Sequence, residues 1–316
     1  MILVCGEALI DLFLYDRQGA RVTAEAVAGG SPFNVAIGLS RLGCPSAFFG
    51  GISTDSFGAF LAANLAEEGV NLEYALRTPR LSTISVVATD AAGQANYSFH
   101  GEGAADRCLT FTDLKPHLSG EIGALTFGSY TLAVEPVASA YLALANREKG
   151  RRLISIDPNI RPTVIGSLTD YDQQLFKFFR TAGVIKASEE DVHLLYGKFA
   201  NIAEIARAWQ QQGPSLVVIT RGALGAVAFY RDRHIEVPGR QVKVVDTVGA
   251  GDSFHAALLA WFHREHGLKP DILENLSLDS LRRALHYAVI ASSITCSRRG
   301  AVLPYRSDVD SVFLTT

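Results

Sequence analysis

An α/β fold is what the sequence predicts: a mostly parallel central sheet covered on both faces, joined by a small separate β-sheet. Two observations carry this. Short β-branched runs alternate with longer amphipathic ones over most of the chain, the rhythm of parallel strands linked by helical crossovers. Two strand-like stretches, at 21–28 and in a hairpin over 83–99, break that rhythm and are assigned to a layer of their own.

Taken in order, residues 1–4 read as a strand, and 21–28 as a second with no helix before it. Ser31-Pro32 supplies an N-cap and first helical residue for a helix over 33–42 that stops at Gly43. A strand at 47–49 leads to Asp55, which caps a helix carrying Phe57, Phe60, Leu61 and Leu65 at helical spacing until Gly69. Strands at 83–89 and 95–99 flank Asp90-Ala91-Ala92-Gly93-Gln94, a Gly-containing hairpin loop. A strand at 124–127 precedes Glu135-Pro136, which opens a helix running to Gly150. Strands at 153–156, 184–186 and 216–220 then alternate with helices around 171–180, 189–196 and 202–212. A last strand, 241–245, runs into Asp246-Thr247-Val248-Gly249-Ala250-Gly251-Asp252-Ser253-Phe254. A helix follows with Ala257, Leu258, Trp261 and Phe262 on its apolar side, and another at 280–294 precedes Arg298-Arg299-Gly300-Ala301.

Composition narrows the function classes. Over 316 residues the chain is 48% hydrophobic, enough to bury a large core, so general disorder is excluded. Its 29 Lys+Arg against 32 Asp+Glu give a net charge of −3, unlike the basic footprint of a nucleic-acid binder. An anionic substrate must therefore be met locally, by helix N-termini or single arginines. Cys5, Cys44, Cys108 and Cys296 lie far apart with no CxxC pair, so reduced thiols are expected rather than disulfides or zinc. Glu7 and Asp11 interrupt the apolar N-terminus and the first basic residue is Arg17, so no signal peptide is expected. Nothing approaches the ~18 apolar residues of a membrane span. A soluble, cytoplasmic protein is the expectation.

The strongest local signal is DTVGAGDSF at 246–254. Two glycines around Ala250 let the backbone turn tightly and converge its N–H groups. A helix then starts, so those groups lack intrahelical partners and carry the positive end of the helix dipole. This suits the charge on a transferring phosphoryl group. Asp252 in the first turn could accept a proton from an incoming hydroxyl, or could simply cap the helix. The string is neither a Walker A motif nor a dinucleotide GxGxxG.

The whole string resembles the second motif of the PfkB (ribokinase-like) sugar kinases. The first motif has its counterpart in Gly29-Gly30-Ser31-Pro32-Phe33-Asn34-Val35-Ala36, followed by Leu39, Leu42 and Gly43. The resemblance implies a ribokinase-like three-layer sandwich with a β-sheet lid. The core would take 1–11, 29–81 and 107–316, and the lid 12–28 and 82–106. It also implies an ATP-dependent kinase using Mg²⁺. Asp252 would be the base, Gly249, Ala250 and Gly251 the anion hole, and Asp11, Gly30 and Asn34 the sugar-holding residues.

Three pieces look like the fructokinase branch: Gly6-Glu7-Ala8-Leu9-Ile10-Asp11, Phe99-His100-Gly101-Glu102-Gly103-Ala104-Ala105-Asp106 and Asp157-Pro158-Asn159-Ile160-Arg161-Pro162. That branch implies Arg161 near the sugar and transferred phosphate, where a planar guanidinium can bridge phosphate oxygens. Phe99 and Glu102 are expected on the sugar side. His100, mostly neutral at pH 7, leans toward a neutral hexose, hence D-fructose. 2-Keto-3-deoxygluconate and ribose are the alternative substrates, and a catalytically silent sugar- or nucleotide-binding regulator is the alternative class. The family's Asn-x-x-Glu, which orders Mg²⁺ through water, becomes Ser188-x-x-Asp191, a pattern that also reads as a plain helix start. For the nucleotide the resemblance implies Ser188, Thr220, Gly222 and Gly225, with Ala288 and Ser292 along an adenine wall. Around Asp246, Val248, Thr295, Arg298 and Gly300 it implies a potassium site. A homodimer through the lid is also expected, with Val86, Ala88, Tyr97 and Phe99 as contacts.

Overall fold

Strands buried on both faces, with one half-exposed strand at an edge, build the main sheet. In the computed structural model, which describes residues 1–89, 95–269 and 271–315, they are β1 (Ile2–Cys5), β4 (Ser46–Phe49), β9 (Ala124–Gly128), β10 (Leu153–Asp157), β11 (Val184–Ser188), β12 (Leu216–Thr220), β13 (Ala226–Tyr230) and β14 (Arg233–Val237). Their order is β14-β13-β12-β11-β10-β9-β1-β4. Every pairing from β12 to β4 is parallel, and β13 and β14 add an antiparallel hairpin at one edge.

The period-2 alternation of each strand feeds two cores. Ile2 and Val4 of β1 face one, shared with α1 (Ser31–Arg41), α7 (Ala250–His266) and α8 (Leu278–Cys296). Leu3 and Cys5 face the other, shared with α3 (Val137–Glu148), α4 (Leu168–Phe179) and α6 (Ile202–Gln210). Helices α2 (Ser56–Glu67), α5 (Glu189–Tyr196) and α9 (Arg306–Phe313) complete the outer layers, and β5 (Gly51–Ser53) pairs with β6 (Leu76–Thr78). This is the predicted α/β three-layer sandwich.

A second sheet, ordered β3-β2-β7-β8, is formed by β2 (Leu9–Gln18), β3 (Arg21–Gly29), β7 (Ile84–Thr89) and β8 (Ala95–His100). The hairpin loop expected at 90–94 lies outside the described residues. Register divides this sheet into two faces. Leu12 stands opposite Val86 and Ala26, and Leu14 opposite Ala88 and Ala24, making one apolar face. Asp11 stands opposite Ser85, which pairs with Phe99, so these belong to the other face. Phe99 therefore cannot serve the same docking surface as Val86 and Ala88, and it packs edge-on against Tyr130 with ring centroids 6.0 Å apart. The side chain of Tyr97 is not among those described.

Three elements depart from expectation. Residues 241–245 form no strand: β14 already closes that edge, Val244 and Val245 are exposed, and the run is held only where Val245 N–H and Asp246 N–H reach Cys296 O. The helix at 31 is capped by Gly30, not Ser31, because Gly30 takes φ 107° and leaves the Ser31 hydroxyl free to point elsewhere. The β13–β14 hairpin and most of β2 lacked the crossover rhythm that flagged their neighbours. No helix among the described residues is long and apolar enough to cross a membrane.

Candidate active site

Two helix N-termini converge here. Gly249 takes a left-handed φ of 76° and precedes α7, whose ladder starts with Ser253 N–H donating to Gly249 O at 2.8 Å. The Gly251 and Asp252 amides precede that ladder, so their N–H groups are left to the open end of a 17-residue helix. A Cβ on Gly249 would stand 2.8 Å from that of Ala301, so only glycine lets the loop lie this close to 300–302. In the expected anion loop, Gly249-Ala250-Gly251, the Ala250 N–H is spent on Thr247 O at 3.2 Å, and Gly251 N–H stands at the open helix end.

Asp252 faces the N-terminus of α1. Ser31 Oγ donates to its Oδ1 at 2.6 Å and Asn34 Nδ2 to its Oδ2 at 2.8 Å, and the residue is 6% exposed. Burial pushes this carboxyl above the usual carboxylate range, while the Ser31 and Asn34 hydrogen bonds and the Lys186 charge pull back. The capping alternative fails, because the α7 cap is Gly249 with no side-chain bond.

Behind the loop lies a buried polar chain that sequence reasoning missed. Lys186 Nζ donates to Asp157 Oδ2 at 2.8 Å, and His255 Nδ1 lies 3.5 Å from the same oxygen. His255 Nε2 is 2.8 Å from Ser155 Oγ. Burial opposes the Lys186 charge, but Asp157 outweighs it and holds the ammonium above its ordinary pKa. A Cβ on Gly251 would sit 3.1 Å from Lys186 Nζ, which puts a fixed positive charge directly beneath the loop. The only available signal was a lysine amid a strand buried on all sides, a residue type that needs a partner there.

On the small-sheet side, Asp11 of β2 is half-buried, and burial raises its carboxyl. Arg161 is exposed, donates to Ile160 O at 3.3 Å, and its charge lowers both Asp11 and Glu7. Gly30 lies so close to the Glu7 backbone that a Cβ would meet Glu7 O at 2.9 Å. Glu7, also missed, is fully buried; its Oε1 accepts from Ser31 N–H at 3.3 Å and burial pushes its carboxyl up to about 8. His100, at the end of β8, and Glu102 just beyond it are exposed.

The remaining expected residues divide. Ser188 caps α5, and Asp191 closes the box by accepting from Ser188 N–H at 2.8 Å. The other Asp191 oxygen accepts from Ile160 N–H at 2.8 Å, so this carboxylate ties the Arg161 loop to α5. Thr220 ends β12 with its hydroxyl on Ala187 O at 3.4 Å. Gly222 takes φ 53° and Gly225 φ 92°, and a Cβ on Gly225 would collide with Val237 O, so its glycine is required by packing on β14. Ser292 is half-buried on α8, but Ala288 is fully buried in the core and offers no adenine wall.

Asp246 accepts from Val248 N–H at 3.0 Å and from Gly300 N–H at 2.8 Å, which ties the two loops expected around potassium. Thr295 Oγ1 donates to Ala291 O at 3.3 Å, and its carbonyl accepts from Arg298 N–H at 3.0 Å. The Arg298 side chain pairs with Asp308 at 2.9 Å. Among the described residues no group of three or more His, Cys, Asp or Glu could hold a metal ion.

Known proteins resemble this chain over nearly its whole length. The sequence profile described as pfkB family carbohydrate kinase matches residues 1–308. A fructokinase of Rhizobium leguminosarum bv. trifolii is 40% identical over 282 residues, 89% of this chain and 86% of that protein. The crystal structure of a Xylella fastidiosa fructokinase with bound ATP superposes with TM-score 0.89 at 26% identity, covering 99% of this chain and 98% of the other. That of a Vibrio cholerae O395 fructokinase in a fructose-, ADP- and calcium-bound form gives 0.83 at 27% identity, covering 98% and 97%. Two motifs that meet around one buried aspartate, and a match spanning both, make this chain a member of the pfkB family of carbohydrate kinases.

Proposed function

We propose that the protein transfers the γ-phosphoryl group of ATP to the 6-hydroxyl of D-fructose, giving fructose 6-phosphate and ADP. The observation that carries the reading is the junction of Asp252 with Ser31 and Asn34 beside the Gly251 and Asp252 amides at the open end of α7. A base, a sugar-side amide and an anion site thereby share one small volume. The similarity to fructokinases, one holding ATP and another fructose and ADP, supports the choice of substrate.

In this reading the sugar hydroxyl lies against Asp252, which takes its proton as the oxygen attacks phosphorus in line. Charge gathering on the equatorial oxygens meets the loop amides from one side and Lys186 from beneath. Asp11, Gly30 and Asn34 hold the remaining hydroxyls, and Arg161 spans sugar and phosphate. Phe99 lines the sugar side, whereas Glu102 enters only when the small sheet closes. Ser188, Thr220, Gly222 and Ser292 border the nucleotide. Magnesium arrives with ATP as part of the substrate, consistent with Asp191 being engaged elsewhere. A monovalent cation would use remaining lone pairs of Asp246, Val248, Thr295, Arg298 and Gly300 oxygens, around the two loops that Asp246 ties together. The small sheet, whose strands run from Leu9 to Gly29 and from Ile84 to His100, acts as the lid that excludes water. The reaction belongs in the cytoplasm, where ATP is supplied.

Initial rates with fructose, ribose and 2-keto-3-deoxygluconate, side by side, test the substrate. Fructose is expected to give the highest kcat/KM, and no turnover on fructose would refute the claim. Asp252→Asn is expected to lose at least ~10³-fold in kcat while still binding ADP. Near-normal turnover would remove Asp252 as the base.

A further inference from the structure

Serine in the first turn of a helix ordinarily caps it or faces water. Ser31 does neither. Gly30 is the cap, Ser31 is 8% exposed, and its hydroxyl spends its single hydrogen on Asp252 Oδ1 at 2.6 Å. The residue is itself fixed from two sides. Its N–H is held by Glu7 Oε1, and the next residue, Pro32, fills the space above Gly6, where an added Cβ would lie 2.1 Å from Pro32 Cγ. The donor is therefore preset before any sugar arrives.

We propose that Ser31 is a positioning residue whose hydroxyl fixes the plane of the Asp252 carboxylate so that a free lone pair meets the sugar hydroxyl. The inference rests on the reading of Asp252 as the base. Asn34 secures the other oxygen, but its amide is also expected to bind sugar. Ser31 alone is committed wholly to Asp252. A hydrogen bond to a buried carboxylate favours the charged form, the only form able to accept a proton. The charged groups around Asp252 are Lys186 on β11, Asp157 on β10 and Asp11 on β2, with His255 one turn along α7. Substitution at position 31 leaves all of these in place, so a change in the acid limb of the rate profile reports on the lost hydroxyl.

The test measures kcat/KM for fructose with saturating MgATP from pH 5 to 9 in wild type, Ser31→Ala, Ser31→Cys and Ser31→Thr, with ADP affinity by calorimetry. Cysteine keeps the size and loses most of the donor strength, which guards against a folding defect in the alanine variant. Ser31→Ala and Ser31→Cys are expected to lose about 10- to 100-fold in kcat at pH 7 and to shift the acid limb up by about one pH unit, with ADP affinity within twofold. Ser31→Thr is expected to recover most of the activity. An unmoved acid limb in both Ser31→Ala and Ser31→Cys overturns the proposal, as does a threonine variant as impaired as alanine. If Asp252→Asn is inactive while the position-31 variants match wild type, this inference fails and the base assignment stands. If Asp252→Asn is active, the base assignment fails first.

Discussion

The ammonium of Lys186 lies 2.8 Å from the Asp157 carboxylate and immediately beneath Gly251. Both side chains are almost wholly buried, so the pair is a neutral unit that has left water together. Placing it under an anion loop gives the site a cation that needs no reorientation when a phosphoryl group arrives.

Lys186→Met is expected to cost about 3–5 kcal/mol of stability, because it strands a buried Asp157, and to lower kcat at least ~10²-fold. Lys186→Met/Asp157→Leu removes both charges, so it is expected to regain much of the stability but none of the rate. Urea unfolding and steady-state rates on the two variants check this. A double variant with wild-type turnover would reduce the pair to scaffold. Gly251→Ala is expected to mimic the rate loss alone, since its Cβ pushes on the ammonium at 3.1 Å.

Glu7 makes stability depend on pH. Its proton is held to about pH 8 in the folded protein, against an ordinary value of 4.5. The folded state binds the extra proton between those values, so this contribution is full below about 4.5 and is lost as pH rises through about 8. The slope is at most ~1.4 kcal/mol per pH unit. Glu7→Gln keeps the shape without the titration, so its urea midpoint relative to wild type is expected to rise steadily from pH 5 to 8. Parallel curves for the two proteins would contradict a buried neutral Glu7.

The apolar face of the small sheet, Leu12, Leu14, Ala26, Val86 and Ala88, is the surface we propose joins two copies. Sedimentation at micromolar concentration is expected to give a dimer, and Val86→Glu a monomer with an impaired lid, because a charge facing its symmetry mate is costly. A wild-type monomer would dismiss this interface.

Read alone, the chain already determined the layered α/β architecture, because buried parallel strands and amphipathic crossovers announce themselves in local periodicity. It also marked the 249–252 loop and Asn34, whose glycines and amide sit in contiguous strings. It failed wherever a role depends on a partner distant in the chain. Ser31 reads as a cap until Asp252, 221 residues away, takes its hydroxyl. Asp191 reads as part of a helix start until Ile160, 31 residues away, ties it to the Arg161 loop. Asp157 opens the Asp-Pro-Asn-Ile-Arg-Pro string, yet nothing there pairs it with Lys186 or His255; only the packing of β10 and β11 against α7 brings the three into one dry volume. Local strings set backbone form, whereas pairings of buried charge are decided by which strands and helices become neighbours, and that is a property of the tertiary fold.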